Sequence, residues 1–350
     1  MSEHKYSELA DKLRADIQAG IYENGQKLPS ENELAARTGY SRQTVRQTMS
    51  VLEKEGLTSR VQGSGTYVRS CAPRKNPTHI IAVVTTYIGE YIFPNILNGI
   101  EEELSLGGYT SMISATRNRV DNERKILADL LNKPIDGLIV EGTKTALPNP
   151  NIDLYKRFAN KGIPVVFING FYPDIAEPIY VVADDRAGGI MATECLLKKG
   201  HTNIAGVFKS DDIQGHRRYA GFAEALREKG LSVTDDRILW YTTENREGLI
   251  ASSIMDTTAG CTAVVCYNDE IALQVMRILD NHKIRVPEDM AVISFDNSTY
   301  AKLSPIKITS LSNPKEKTGR LAARKLIDIL DGKKCEPSVL PWSLSEKAST

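Results

Sequence analysis

Apolar positions near the start of the chain recur at helical spacing. Tyr6, Leu9, Leu13 and Ile17 share one face of a helix predicted over 6–19. A second helix is expected after Pro29, where Ser30 and Glu33 have the spacing of a capping box that occupies exposed N–H groups. It should stop near Gly39, which is free to take the left-handed conformation. Ser41 then caps a third helix carrying Val45, Met49 and Leu52 on one apolar stripe. Two short helices meeting at a tight turn make a helix-turn-helix. Residues 57–68, LTSRVQGSGTYV, read as two short strands around Gln62-Gly63-Ser64-Gly65, the hairpin of a wing. Residues 1–69 are therefore expected to form a winged-helix domain. The polar, proline-containing stretch at 70–78, SCAPRKNPT, interrupts every periodicity and is expected to be a linker.

From His79 the pattern becomes short apolar runs alternating with amphipathic segments, which predicts parallel strands crossed by helices over 79–350. The strands are IIAVVTT, TSMISAT, GLIVEG and VVFING, with helices at 94–106, 122–132 and 152–161. A second set follows, with strands near IAGVF, ILWYT, AVVCY and AVISF and helices at 187–199, 217–229, 246–258 and 270–282, then a helix at 315–331. The fold class is α/β: a winged helix-turn-helix followed by two doubly wound lobes. Ligands of such sheets lie beyond the carboxyl ends of the strands, in the cleft between the lobes.

Composition sets the outer limits. With 41% hydrophobic and 25% charged residues, the 350-residue chain has ordinary globular composition and room for two or three domains. Its net charge of zero argues against indiscriminate coating of nucleic acid, although the first 75 residues lean positive. Cys71, Cys195, Cys261, Cys266 and Cys335 have no paired spacing of the kind that marks a zinc site or a secreted disulfide scaffold, so reduced thiols in a cytoplasm are expected. No signal-peptide pattern and no run of about 18 apolar residues points to a membrane. No metal and no cofactor is expected.

The candidate chemistry falls in two places. Arg42 and Arg46 lie four apart on the third helix, with Gln43 and Gln47 beside them. Guanidinium forks pair with guanine O6 and N7, and amides do the same for adenine. Two arginines on a helix are equally an ordinary solvated face, and it is the predicted wing that favours DNA. Gly63-Ser64-Gly65 lacks the flanking strand and helix that a dinucleotide loop needs. The second place is the set of strand ends: Tyr91, Arg119, Glu141, Lys144 and Asn169 in the first lobe, and Lys209, Gln214, Arg218, Asn268 and Asp296 in the second. Carboxylates, amides, guanidinium and tyrosine together suit a sugar, whose hydroxyls need donors and acceptors and whose apolar face suits an aromatic ring. Any one of them is as readily a cap or turn residue, a reading equally open to Asp269, Asn297 and Asp185. Asp184 and Asp185 read as neighbours on an extended segment with diverging side chains. The five histidines are scattered, no residue is assigned a catalytic role, and an enzyme is not expected.

Residues 6–68 resemble the winged-helix domain of the gluconate-repressor (GntR) family, carrying its LPSE-x-ELA, SR-x-TVR and G-x-G-T pieces in order. The resemblance implies that Arg42, Thr44 and Arg46 contact an operator, that Gly63 and Gly65 bring the wing onto it, and that Glu31 and Gln62 assist. Tyr40 stands where that family usually has a small aliphatic residue. Residues 79–335 resemble the LacI/GalR family of sugar-responsive repressors and, more distantly, periplasmic sugar-binding proteins, through HRRYAGF, CYNDEIAL and VPEDMAVISFDN. This implies that Arg218, Asn268 and Asp296, with Glu141 and Asn169, bind the effector. The pairing of the two parts is similar to the arabinose-repressor group over nearly the whole chain. That implies a cytoplasmic homodimer which binds palindromic operator DNA, responds to a sugar effector, L-arabinose, and controls genes of sugar uptake and catabolism. The end VLPWSLSEKAST departs from the family's final strand, and the last dozen residues are expected to be disordered or locally different. Arg218→Ala is expected to remove sugar donors without disturbing the fold. A stand-alone sugar-binding or transport protein and a sugar-processing enzyme are the alternatives, and both leave the Arg42/Arg46 helix unexplained.

Overall fold

The computed structural model describes residues 2–18, 21–22, 25–55, 57–61, 63–68 and 77–350. In the small domain, α1 (Ser2–Gln18), α2 (Glu31–Thr38) and α3 (Arg42–Lys54) close over Leu9, Leu13, Ile17, Leu34, Val45, Met49 and Leu52. The strands β1 (Thr58–Val61) and β2 (Gly65–Val68) pair antiparallel from Thr58↔Val68 to Val61↔Gly65. Most of the expected linker, residues 70–76, lies outside the described residues.

The first lobe is built from β3 (Ile80–Thr85), α4 (Phe93–Leu106), β4 (Thr110–Ala115), α5 (Val120–Leu130), β5 (Gly137–Val140), α6 (Ile152–Asn160), β6 (Val165–Ile168) and β7 (Ile179–Ala183). The second holds α7 (Asp185–Lys198), β8 (Ile204–Lys209), α8 (Ile213–Glu228), β9 (Ile238–Tyr241), α9 (Arg246–Thr257), β10 (Ala263–Cys266), α10 (Asp269–Asn281), β11 (Ala291–Phe295), α11 (Thr299–Leu303) and β12 (Thr309–Ser312). The chain then returns through α12 (Lys315–Leu330) and β13 (Ser338–Leu340) to the first lobe and ends with β14 (Ser343–Ser345) in the second. The strand orders are β13-β7-β6-β5-β3-β4 and β14-β12-β11-β10-β8-β9, parallel except where β14 runs antiparallel to β12. Strands such as β3 and β10 are apolar on both faces because each sheet is covered by helices on both sides.

The structure corrects three expectations. The last dozen residues are ordered: β13 and β14 bridge the lobes, Trp342 packs edge-on against Phe295 at 5.4 Å, and Ser349 Oγ donates to the Val292 carbonyl at 2.5 Å. β7, β12, β13 and β14 extend the two sheets beyond the strands that the apolar pattern predicts. Asp184 and Asp185 are not on an extended segment: Asp184 caps α7 and Asp185 is its first residue. The place of Asp185 depends on how closely α7 approaches α8. A Cβ on Gly189 would come 2.1 Å from the Arg218 carbonyl oxygen, so only glycine lets the helices meet at this separation.

Candidate functional site

At the small domain's surface, the helix-turn-helix is fixed by local bonds. Ser30 Oγ accepts the Glu33 N–H (3.3 Å) and Glu33 Oε2 accepts the Ser30 N–H (2.7 Å), completing the capping box. Gly39, at φ 72°, ends α2, and Ser41 Oγ accepts the Thr44 N–H (3.2 Å) to begin α3. Tyr40 points its hydroxyl at Glu8 Oε2 (3.1 Å), which ties the turn to α1. Arg42, Gln43 and Arg46 are exposed and Thr44 is half-exposed beside Ser41. Glu31 sits between two arginines, 3.3 Å from Arg46 Nε and 3.7 Å from Arg60 on β1. It therefore faces both the third helix and the first strand of the wing. Arg60 was not singled out in the sequence; its signal is an exposed cation on the strand next to the wing turn. Gly63 and Gly65 turn the hairpin at φ 77° and 134°, and Gln62 lies outside the described residues.

The second site is a cavity of about 270 Å³ between the carboxyl ends of the two parallel sheets. Of the residues expected there, Tyr91, Glu141, Asn169, Lys209, Gln214, Arg218, Asn268 and Asp296 line it. Arg119 and Lys144 do not. Arg119 follows two left-handed residues, Arg117 and Asn118, which turn Asn118 into the cavity and leave Arg119 59% exposed against Asp121. Lys144, itself left-handed at φ 48°, points across the cleft to Glu244. Thr86, Tyr87, Asp212, Arg246, Glu270 and Tyr300 also line the cavity. Tyr87 and Asp212 stand beside predicted strand ends, whereas Arg246 and Tyr300 lie on helix starts that carry no motif.

The lining is polar and internally paired. Glu141 is buried and accepts from the Thr86 N–H (2.9 Å), the Thr86 hydroxyl (2.5 Å) and the Asn169 amide (2.8 Å). A carboxylate has about four lone-pair sites, so about one is left for a ligand hydroxyl. Burial pushes the Glu141 carboxyl above its usual range despite these donors. Asn268 caps α10 through Oδ1, which accepts the Ile271 N–H (3.0 Å), and its amide nitrogen is left for the cavity. Asn268 thus caps a helix and lines the cavity at once. Tyr91 reaches from the first lobe to donate to Asp296 Oδ2 (2.5 Å), accepts the Asp269 N–H (3.2 Å) and stacks on Tyr300. Burial alone would lower Lys209, but Asp212, 2.5 Å away, and Asp211 hold it above its ordinary value. Arg246 pairs with Glu270 at 2.7 Å.

Arg218 is the most enclosed cation of the site, 3% exposed. Its Nε donates to Asp185 Oδ1 (2.8 Å) and its Nη1 to the Tyr267 carbonyl (2.5 Å), and its guanidinium lies over the rings of Tyr267, Phe295 and Trp342. Burial lifts the Asp185 carboxyl to about 6 even though Arg218 pulls it down. Arg218 therefore belongs to the fold as well as to the cavity, which overturns the expectation that its removal leaves the fold untouched.

A helix-turn-helix with exposed arginines on the same chain as a two-lobed cavity defines a ligand-responsive transcriptional regulator. Residues 5–68 match the model for bacterial regulatory proteins of the gntR family, and residues 193–350 match a periplasmic binding protein-like domain. An arabinose metabolism transcriptional repressor of Halalkalibacterium halodurans is 38% identical over 338 residues, covering 94% of this chain and 90% of the relative. One from Geobacillus stearothermophilus is 37% identical over 333 residues, covering 93% and 91%. The chain belongs to this family of arabinose metabolism transcriptional repressors. Its fold is also that of a solved transcriptional regulator, a CelR-cellobiose complex (TM-score 0.70, 24% identity, 92% of this chain and 100% of that one). A LacI-type regulator from Alkaliphilus metalliredigens QYMF, complexed with D-xylulofuranose, is similar over 78% of this chain and 99% of its own (TM-score 0.67, 24% identity).

Proposed function

We propose that the chain is a homodimeric repressor that binds palindromic operator DNA through residues 1–69, is tethered by 70–78, and binds L-arabinose in 79–350, releasing the operator of genes for sugar uptake and catabolism. In this reading Arg42, Gln43, Thr44 and Arg46 read the major groove, Glu31 orients Arg46, and Gln62, Gly63 and Gly65 carry the wing. Tyr91, Glu141, Asn169, Lys209, Gln214, Arg218, Asn268 and Asp296 hold the sugar. The observation that carries it is the cavity: about 270 Å³, below the roughly 300–1,000 Å³ of drug-sized sites, and lined by paired donors, acceptors and tyrosines. Twofold pairing places two reading heads on a palindromic site, which adds affinity and fixes half-site spacing. Among the described residues no helix is long and apolar enough to cross a membrane, and no group of three or more His, Cys, Asp or Glu is arranged to hold a metal. A cytoplasmic, non-enzymatic role is the reading that suits the family.

Sugar binding acts on DNA only through a difference in affinity between two conformations. The sugar touches both lobes, so it favours their closure, and closure changes the spacing of the paired heads. A calorimetric titration with pentoses and hexoses tests the effector. Heat with L-arabinose is expected, and heat with another sugar but none with L-arabinose contradicts the assignment. The same titration should weaken as pH falls. Glu141 accepts a hydroxyl as a carboxylate, and because burial raises its pKa, protonation sets in above the usual carboxylate range. Glu141→Gln should bind more weakly and flatten that part of the pH profile.

A further inference from the structure

Lys144 does not line the cavity, yet it joins the lobes. Its ammonium lies 2.5 Å from Glu244 Oε1 and 3.8 Å from Asp211 Oδ2, and its side chain is only 17% exposed. The loop that carries it makes two more links to the second lobe: the Ala146 N–H donates to the Asp211 carbonyl (3.3 Å), and Thr145 Oγ1 accepts the Ile213 N–H (3.1 Å). Beside them the Asn118 amide donates to Thr243 Oγ1 (2.6 Å), and Thr243 donates through its N–H (3.1 Å) and hydroxyl (2.8 Å) to Asp211 Oδ2.

These links converge on Asp211, which is 1% exposed. Its Oδ1 accepts no hydrogen bond among the described residues, so the countercharge for this oxygen is Lys209 at 3.7 Å, with Lys144 facing the other oxygen. A buried carboxylate is costly without countercharge. Parting the lobes would take Lys144 away and leave Lys209 as the countercharge of Asp211, beside the Thr243 donors of its own lobe, so closure is favoured by a pairing that does not involve the ligand. The arm to Glu244 is weaker, because that side chain is 53% exposed and its attraction is screened.

We propose that Lys144, Asp211 and Glu244 form a clasp across the cleft, with Lys144 a positioning residue that sets effector affinity by holding the lobes together and does not touch the effector. The proposal rests on the effector reading above for its affinity arm only. Lys144→Met and Glu244→Gln in the full chain, singly and together, test it by small-angle scattering without sugar and by calorimetry with the sugar panel. Lys144→Met is expected to enlarge the sugar-free radius of gyration and to weaken every bound sugar by about threefold to tenfold, with their rank order unchanged. Glu244→Gln should do the same to a smaller extent, and the double variant should be no weaker than Lys144→Met. A changed rank order would make Lys144 a direct ligand and overturn the proposal, as would an unchanged radius together with unchanged affinity, or losses that add. If the wild type binds no sugar of the panel, the effector reading falls, and the scattering comparison alone then decides the clasp.

Discussion

Arg218→Ala is expected to lose about 3–5 kcal/mol of stability together with the response to sugar. Asp185 is 2% exposed, and its salt bridge to Arg218 is the only one that it makes among the described residues. Truncating the arginine strands a buried carboxylate and opens space among Tyr267, Phe295 and Trp342. The two effects separate in a second variant. Arg218→Met with Asp185→Asn removes both charges and fills the space, so it should recover most of the melting temperature. It still lacks the guanidinium that faces the cavity, and a charged hydrogen bond to a ligand is worth about 1.5–3 kcal/mol, so its sugar affinity should remain at least about tenfold below wild type. Thermal denaturation followed by calorimetry gives both readouts. A single Arg218→Ala variant that melts like wild type and responds to wild-type sugar concentrations would show that Arg218 has neither role.

The second large effect is expected at the reading helix. Arg42→Ala or Arg46→Ala should cost about 1–3 kcal/mol on the operator and much less on random DNA, because base edges are read by fixed guanidinium forks. Arg46 should be the more damaging, since its loss also releases Glu31, leaving that carboxylate near DNA with only Arg60 at 3.7 Å. Binding measured at several salt concentrations separates the roles. A phosphate contact lowers the slope of log affinity against log salt by about one unit when removed, and equal losses on operator and random DNA would reassign both arginines to the backbone.

What could be read from the sequence was set by how local each cause is. Ser30, Glu33, Gly39 and Ser41 act within four residues, so the helix-turn-helix was legible from spacing alone and the caps form as expected. Strands β3, β5, β8, β10 and β11 were legible because burial on both faces demands unbroken apolar runs. β12 was not, because its buried Thr309 and Ser310 are polar. Their hydroxyls bond Lys347 and Asp269, partners that are remote in sequence. β13 and β14 are three residues each, and only long-range pairing defines them. In the cavity, strand ends gave the right neighbourhood and backbone hand decided which side chain entered it. Left-handed turns at Arg117, Asn118 and Lys144 brought in Asn118 and excluded Arg119 and Lys144. The double use of Arg218 was hidden for another reason: Asp185 meets it only because Gly189 lets α7 and α8 touch.

Sugar and operator are expected to compete through one conformational equilibrium, so each must weaken the other by the same factor. Operator affinity measured by fluorescence anisotropy with and without saturating L-arabinose, set beside sugar affinity measured by calorimetry with and without operator, tests it directly. Two equal factors are expected, each between about 5 and 150. An operator affinity that saturating L-arabinose leaves unchanged would contradict it.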